Sequence, residues 1–236
     1  MSRLSRVLAP KPPAAVLWDM DGTLVDTEPS WVAAEHAIVE EAGGRWSEEL
    51  AAQLIGQDLR VSAEFIRANS PVTDDPEDII EALLDRVIAA VHRDIPWRPG
   101  ARELLLASRR AALPSALVTM SWTRLVEPVV AALPPGTFAV IASGDVVAHG
   151  KPHPEPYLHA ARALGLDPRE CLAIEDSPTG VLSATRAGVP TLAVRHLVEI
   201  PPTPGALPLS SLSGVTVDDL GMLRDRAAAT FTPPRR

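Results

Sequence analysis

Asp19 and Asp21 stand two residues apart in Leu17-Trp18-Asp19-Met20-Asp21-Gly22-Thr23-Leu24-Val25-Asp26-Thr27. They follow an apolar run, residues 14–18, that reads as a buried parallel strand. In extended chain, residues i and i+2 point to one side. Both carboxylates then face one crevice if the backbone stays extended past the strand end. Open α/β sheets bind ligands at that end, and Gly22 lets the chain turn away. Alone, the pair reads equally well as a helix cap or as two solvated acids.

Three later segments add chemistry. Thr119-Met120-Ser121 ends a second apolar run, Gly150-Lys151-Pro152 trails a third, and Glu175-Asp176-Ser177 ends a fourth. In a parallel sheet these strand ends converge on one edge. The edge then holds carboxylates from two strands, hydroxyls, a lysine and free backbone N–H groups. Hard oxygen ligands suit Mg²⁺, and a lysine offers a point charge to phosphate oxygens. The inventory therefore suits a phosphate monoester with Mg²⁺. There is no Cys/His spacing for zinc. Singly, Thr119 reads as a helix N-cap, Lys151 as a surface lysine, and Glu175-Asp176-Ser177 as a cap. Their joint order on successive strands points to a site.

The elements that must position these residues alternate. Strands are expected at 14–18, 114–119, 138–141, 171–174 and 191–194. Helices are expected at 102–110, 123–133 (with Pro128 as a kink or boundary), 155–164 and 179–187. Alternation of this kind argues a parallel sheet covered by helices on both faces. Residues 27–97 break it: no strand pattern appears, and helices are expected at 30–42, 62–68 and 77–92. The last carries Ile79, Ile80, Leu83, Leu84, Val87, Ile88 and Val91 at helical period. Thr27-Glu28-Pro29 and residues 96–100 read as linkers. The expected organisation is an α/β core over 14–26 and 98–228, a helical insert over 27–97, and flexible tails at 1–13 and 229–236. Residues 201–208 form a Pro-rich tract.

Bulk properties narrow the function classes. With 46% hydrophobic residues in 236, the chain can bury a large core. A net charge of -8 argues against nucleic-acid binding through a basic surface. An anionic substrate stays open, because the local field in a cleft matters more. The single cysteine, Cys171, reads as an inert core residue and fits a reducing compartment. No apolar stretch reaches the ~18 residues of a membrane span, and the N-terminus lacks a secretory h-region. A cytoplasmic protein without membrane or nucleic-acid partners is expected, as a monomer or weak homodimer.

With its four motifs in order, the chain resembles the haloacid dehalogenase (HAD) superfamily. The branch is the one containing β-phosphoglucomutase and phosphoglycolate phosphatase. Asp19-Met20-Asp21-Gly22-Thr23 matches the first motif, Thr119 the second, Lys151 in His149-Gly150-Lys151-Pro152 the third, and Glu175-Asp176 the acidic fourth. The resemblance implies a doubly wound Rossmann-like core with a small α-helical cap. It implies Asp19 as nucleophile, forming an aspartyl-phosphate, and Asp21 as general acid and then base. Mg²⁺ would sit on the Asp19 side chain, the Asp21 carbonyl and Asp176, with Glu175 direct or through water. Thr119, Met120 N–H, Lys151 and, more weakly, Ser121 would bind the transferring oxygens.

Asp21 argues against dehalogenation, and the absence of lysine from residues 27–97 against phosphonate hydrolysis. In the cap, Leu54-Ile55-Gly56-Gln57-Asp58 resembles the loop that reaches into the site, which makes Gly56, Gln57 and Arg60 specificity candidates. Trp31 and Trp46 read as packing residues near it. Trp31 stands where the mutase has a gating histidine, with His36 further along, and the mutase's cap arginine has no clear match. The expected activity is a Mg²⁺-dependent phosphatase of a small phosphorylated metabolite. A hexose-phosphate mutase is the alternative, then a non-catalytic sensor on this fold. A receiver domain fits poorly with the insert and Asp21.

Overall fold

The computed structural model describes residues 10–231. Its centre is a six-stranded, wholly parallel sheet in the order β3-β2-β1-β4-β5-β6. The strands are β1 (Val16–Trp18), β2 (Ser115–Val118), β3 (Val140–Ala142), β4 (Leu172–Glu175), β5 (Thr191–Val194) and β6 (Ala206–Leu209). The strand order reverses at β1, between β2 and β4, and such a switch point opens a crevice at the strands' carboxyl ends. The α/β doubly wound fold expected from the alternation is therefore present.

The residues of β1, β2, β4 and β5 are buried on both faces, as the apolar runs predict, whereas the edge strands β3 and β6 are partly exposed. Val16 and Trp18 join one core cluster with Leu117, Ile174 and Leu192. Ala15 and Leu17 join a second with Ala116, Tyr157 and Ala160 on the opposite face.

Between β1 and β2 run α1 (Glu28–Glu41), α2 (Glu48–Ala51), α3 (Leu59–Asn69), α4 (Pro76–Arg93) and α5 (Ala101–Arg110). The first four make up the helical insert. α4 buries Ile79, Ile80, Leu83, Leu84, Val87 and Val91 of the predicted stripe and leaves Ile88 partly buried. The segment Thr27-Glu28-Pro29, read as a linker, is instead the N-cap and first turn of α1. Proline is welcome there because its missing N–H has no helical partner. The entry and exit chains run side by side: Asp26 N donates to Pro96 O at 2.8 Å, and Arg98 N to Leu24 O at 2.8 Å.

The remaining helices are α6 (Thr123–Ala131), α7 (Glu155–Leu164), α8 (Pro178–Arg186) and α9 (Leu220–Ala229). α6 continues through Pro128. The end of the Pro-rich tract runs into β6, which the apolar pattern did not reveal. It is an edge strand, the place where a strand tolerates Pro208. α9 was also unexpected; it buries Leu220, Leu223 and Ala227. The expected tails lie mostly outside the described residues. Where described, they pack: the Lys11 and Pro10 carbonyls approach Gly221, and the Phe231 ring covers Gly205.

Candidate active site

The chain leaves β1 still paired, with Asp19 N donating to Ile174 O at 3.0 Å. It then turns tightly, with Gly22 N donating to Val25 O at 2.7 Å. Gly22 has φ +83, and a Cβ there would lie 2.0 Å from Asp176 Oδ2. Glycine is thus required both by the backbone and by the carboxylate across the crevice. The turn also aims the Thr23 hydroxyl at Asp176 Oδ1, 3.2 Å away.

Lys151 is no surface lysine. Its side chain is only 3% exposed. Nζ donates to Asp19 Oδ1 at 2.6 Å, Glu175 Oε1 at 2.6 Å and Val118 O at 2.9 Å. Tyr157 also donates to Glu175 Oε1, at 2.6 Å. Glu175 Oε2 accepts from Asp176 N at 3.3 Å and Ser177 Oγ at 3.4 Å. Both oxygens of Glu175 are thereby committed to protein donors. Gly180 leaves the room for this, since a Cβ there would stand 2.0 Å from Glu175 Oε2.

Asp21 gathers the hydroxyls. Its Oδ2 accepts from Ser121 Oγ at 2.7 Å and Thr119 Oγ1 at 3.2 Å, and its Oδ1 from Thr27 Oγ1 at 2.5 Å. Ser121 N donates to Thr119 Oγ1 at 3.0 Å, and Met120 Sδ accepts from Lys151 N at 3.2 Å. The four motif segments therefore meet at one point.

Burial dominates the electrostatics. It pushes the Asp19 carboxyl up to about 6; Glu175 adds to the rise and Lys151 opposes it. Burial also raises Asp21 and, more strongly, Asp176. On Lys151 burial works downward, but the charges of Asp19 and Glu175 outweigh it and hold the ammonium firmly protonated. Burial and the Glu175 charge keep Tyr157 a phenol.

Carboxylate oxygens of Asp19, Glu175 and Asp176 lie within 4.8 Å of one another. Asp19 Oδ2 is buried with no hydrogen-bond partner. An orphaned oxygen among crowded carboxylates is what a divalent cation relieves, and the all-oxygen donor set suits Mg²⁺.

The site opens into a cavity of about 80 Å³. Asp19, Asp21, Thr119, Met120, Ser121, Lys151 and Asp176 line its floor. Gly56 and Gln57 line its roof, and the Gly56 carbonyl accepts from Thr179 Oγ1 at 3.4 Å. Arg60 does not line it; its guanidinium sits 5.2 Å from the centre of the Trp122 ring. Trp31 faces the cavity, whereas Trp46 is buried edge-to-face against Phe65.

Several residues here escaped the sequence pattern. Thr27 holds Asp21, and Tyr157 holds Glu175. His196 lies with Nε2 3.2 Å from Asp26 and Nδ1 3.8 Å from Asp176. Glu28 and Glu35 line the cavity from α1. His196 had one signal, its position just past the end of a strand.

A family model described as haloacid dehalogenase-like hydrolase matches residues 13–188. The chain belongs to that family. Among other haloacid dehalogenase-like hydrolases, the chain is 30% identical over 227 residues to hexitol phosphatase B of Escherichia coli strain K12, covering 89% of this chain and 98% of that one. It is 35% identical over 189 residues to the N-acetylmuramic acid 6-phosphate phosphatase of Pseudomonas aeruginosa, covering 77% and 81%. The structure of CbbY from Rhodobacter sphaeroides in complex with xylulose-(1,5)bisphosphate superposes with a TM-score of 0.78 at 29% identity, covering 86% of this chain and 96% of that one. The haloacid dehalogenase resemblance read from the four motifs thus holds. No helix among the described residues is long and apolar enough to cross a membrane.

Proposed function

We propose that this hydrolase is a cytoplasmic, Mg²⁺-dependent phosphatase that hydrolyses a small phosphorylated sugar or similar monoester through an aspartyl-phosphate on Asp19. The observation that carries the reading is the pairing of Asp19 with Lys151 at the head of a cavity whose floor holds Asp21 and the hydroxyls of Thr119 and Ser121. The relatives' names, hexitol phosphatase and N-acetylmuramic acid 6-phosphate phosphatase, support a phosphorylated sugar.

Asp19 attacks phosphorus and carries the phosphoryl group, which splits a slow displacement into two steps. Asp21 gives its proton to the leaving alcohol, and burial keeps that proton available. The resulting carboxylate then takes a proton from the attacking water. Lys151, with Thr119, Ser121 and Met120 N–H, holds the transferring oxygens. Asp19, Asp176 and the Asp21 carbonyl would hold Mg²⁺, which neutralises phosphoryl charge. Glu175 is read as the group that orients Lys151, since its own oxygens are taken.

Residues 27–97 act as a lid over this floor. A cavity of about 80 Å³ falls short of the ~300–1,000 Å³ typical of small-molecule pockets. A sugar phosphate therefore enters by movement of the insert about its paired linkers.

The test is Mg²⁺-dependent phosphate release from a panel of sugar, polyol, glycolate and nucleoside monophosphates. Release that stops with EDTA supports the phosphatase. Product formation only with a bisphosphate activator, and no free phosphate, would replace it with a mutase. Mg²⁺ binding without turnover of either kind would leave a sensor.

A further inference from the structure

Glu28, Trp31 and Glu35 recur at i, i+3 and i+7 on α1 and all three line the cavity. Glu35 is 4% exposed. Its Oε2 accepts from Trp46 Nε1 at 2.9 Å, and no hydrogen bond among the described residues reaches its Oε1. The Glu28 carboxylate has no hydrogen bond or ion pair among the described residues. Glu28 is part-buried and Glu35 buried, and both line the cavity with acceptor capacity that no protein donor uses; carboxylates of this kind cluster where a ligand completes them. Burial, reinforced by Glu35, Asp21 and Asp26, raises Glu28 to about 7; burial raises Glu35 to about 7. Above about pH 7 both groups are therefore ionised and accept hydrogen bonds, and below it each can also donate one.

The charges that are missing complete the picture. Among the described residues that line the cavity, the only lysine or arginine is Lys151, already held by Asp19 and Glu175. Arg60 is turned to Trp122. A second phosphate or a carboxylate on the leaving group would face two acids, and the remaining basic group of the lining, His196, lies against Asp26 and Asp176 with its pKa lowered by burial, an arrangement that rejects by repulsion. A neutral polyol would find acceptors in Glu28 and Glu35, further polar groups in Gln57 and Ser62, and apolar walls in Trp31 and Leu83.

We propose that Glu28 and Glu35 are specificity-determining residues that receive the hydroxyls of an uncharged sugar or polyol leaving group and exclude leaving groups bearing a second negative charge. The inference rests on the phosphatase reading above.

The experiment measures kcat/KM of the full chain with Mg²⁺ for a hexitol phosphate, 2-phosphoglycolate, a sugar bisphosphate and p-nitrophenyl phosphate. The hexitol phosphate should exceed phosphoglycolate and the bisphosphate by about 100-fold or more. Glu28→Gln and Glu35→Gln should each shrink that ratio by about tenfold. Glu35→Gln keeps an acceptor for Trp46, and Glu28→Gln breaks no hydrogen bond or ion pair among the described residues. If Glu35→Gln folds poorly, Glu28→Gln carries the test alone. A wild-type preference for phosphoglycolate or the bisphosphate would overturn the inference, as would variants that slow every substrate by one factor. In both cases turnover of p-nitrophenyl phosphate would leave the phosphatase standing. No release from any of the four would overturn both.

Discussion

Thr27 and Asp21 are joined side chain to side chain, the threonine hydroxyl donating to Asp21 Oδ1 at 2.5 Å. Thr27 is fully buried and is also the N-cap of α1, so the acid of the first motif is tied to the entry of the helical insert. Thr27→Val should lower kcat by about tenfold, a part of what acid–base catalysis contributes. The Thr27 bond lowers the Asp21 pKa against the larger effect of burial. Its loss should move the limb of the pH–kcat profile that reports Asp21 to higher pH. An unshifted profile would contradict the role.

Gly22→Ala should disrupt the metal site. The new Cβ would stand 2.0 Å from Asp176 Oδ2 at a backbone φ of +83. Mg²⁺ affinity measured by calorimetry should fall by tenfold or more, the order lost when a ligand's support is removed. The melting temperature should drop with it. Wild-type affinity in this variant would show that Asp176 does not hold the ion.

Glu35 gives a pH-dependent prediction. Burial holds its carboxyl at about 7, against about 4.3 in an unfolded chain. The native state therefore binds more protons across that interval, and stability falls as pH rises through it. Its contribution is intact below about pH 4 and lost above about pH 7. Glu35→Gln has no charge to bury. Its melting temperature relative to wild type should climb from pH 4.5 to pH 8. A constant difference across that range would contradict it.

The insert and the core are latched by exposed charges. Arg124 at the start of α6 bonds Glu81 and reaches Asp85 of α4 at 2.7 Å. Arg60 stacks on Trp122 close by. Exposed pairs add little to global stability and are screened by salt. Arg124→Ala should leave the melting temperature nearly unchanged while shifting kcat and KM together, as lid variants do. It should also weaken the salt dependence of turnover. Wild-type kinetics in the variant would show that the latch does not govern lid motion.

Much of this was legible in the sequence because buried parallel strands are continuous apolar runs and their carboxyl ends are where acids stand out. Asp19, Asp21, Thr119, Lys151 and Asp176 meet as that pattern suggests. β6 was hidden because an edge strand needs few apolar residues and tolerates Pro208. α9 was hidden because its short apolar positions form no clear stripe. Thr27 and Tyr157 lack any local signature, since each acts through a partner remote in the chain or beyond the motif's last residue, and His196 has only its place just past the end of β5. Glu28 and Glu35 look like ordinary charged positions until the fold turns α1 over the cavity. Arg60 was misplaced for the converse reason: one position on a helix swings a side chain by ~100°, enough to aim it at Trp122.

In the proposed mechanism Asp19 takes the phosphoryl group. The most direct measurement is mass spectrometry of acid-quenched enzyme caught during turnover of a hexitol phosphate. The expected result is one added phosphoryl mass on the peptide carrying Asp19, absent from Asp19→Asn, which should also release no phosphate. Steady turnover with no labelled Asp19, or an active Asp19→Asn enzyme, would contradict it.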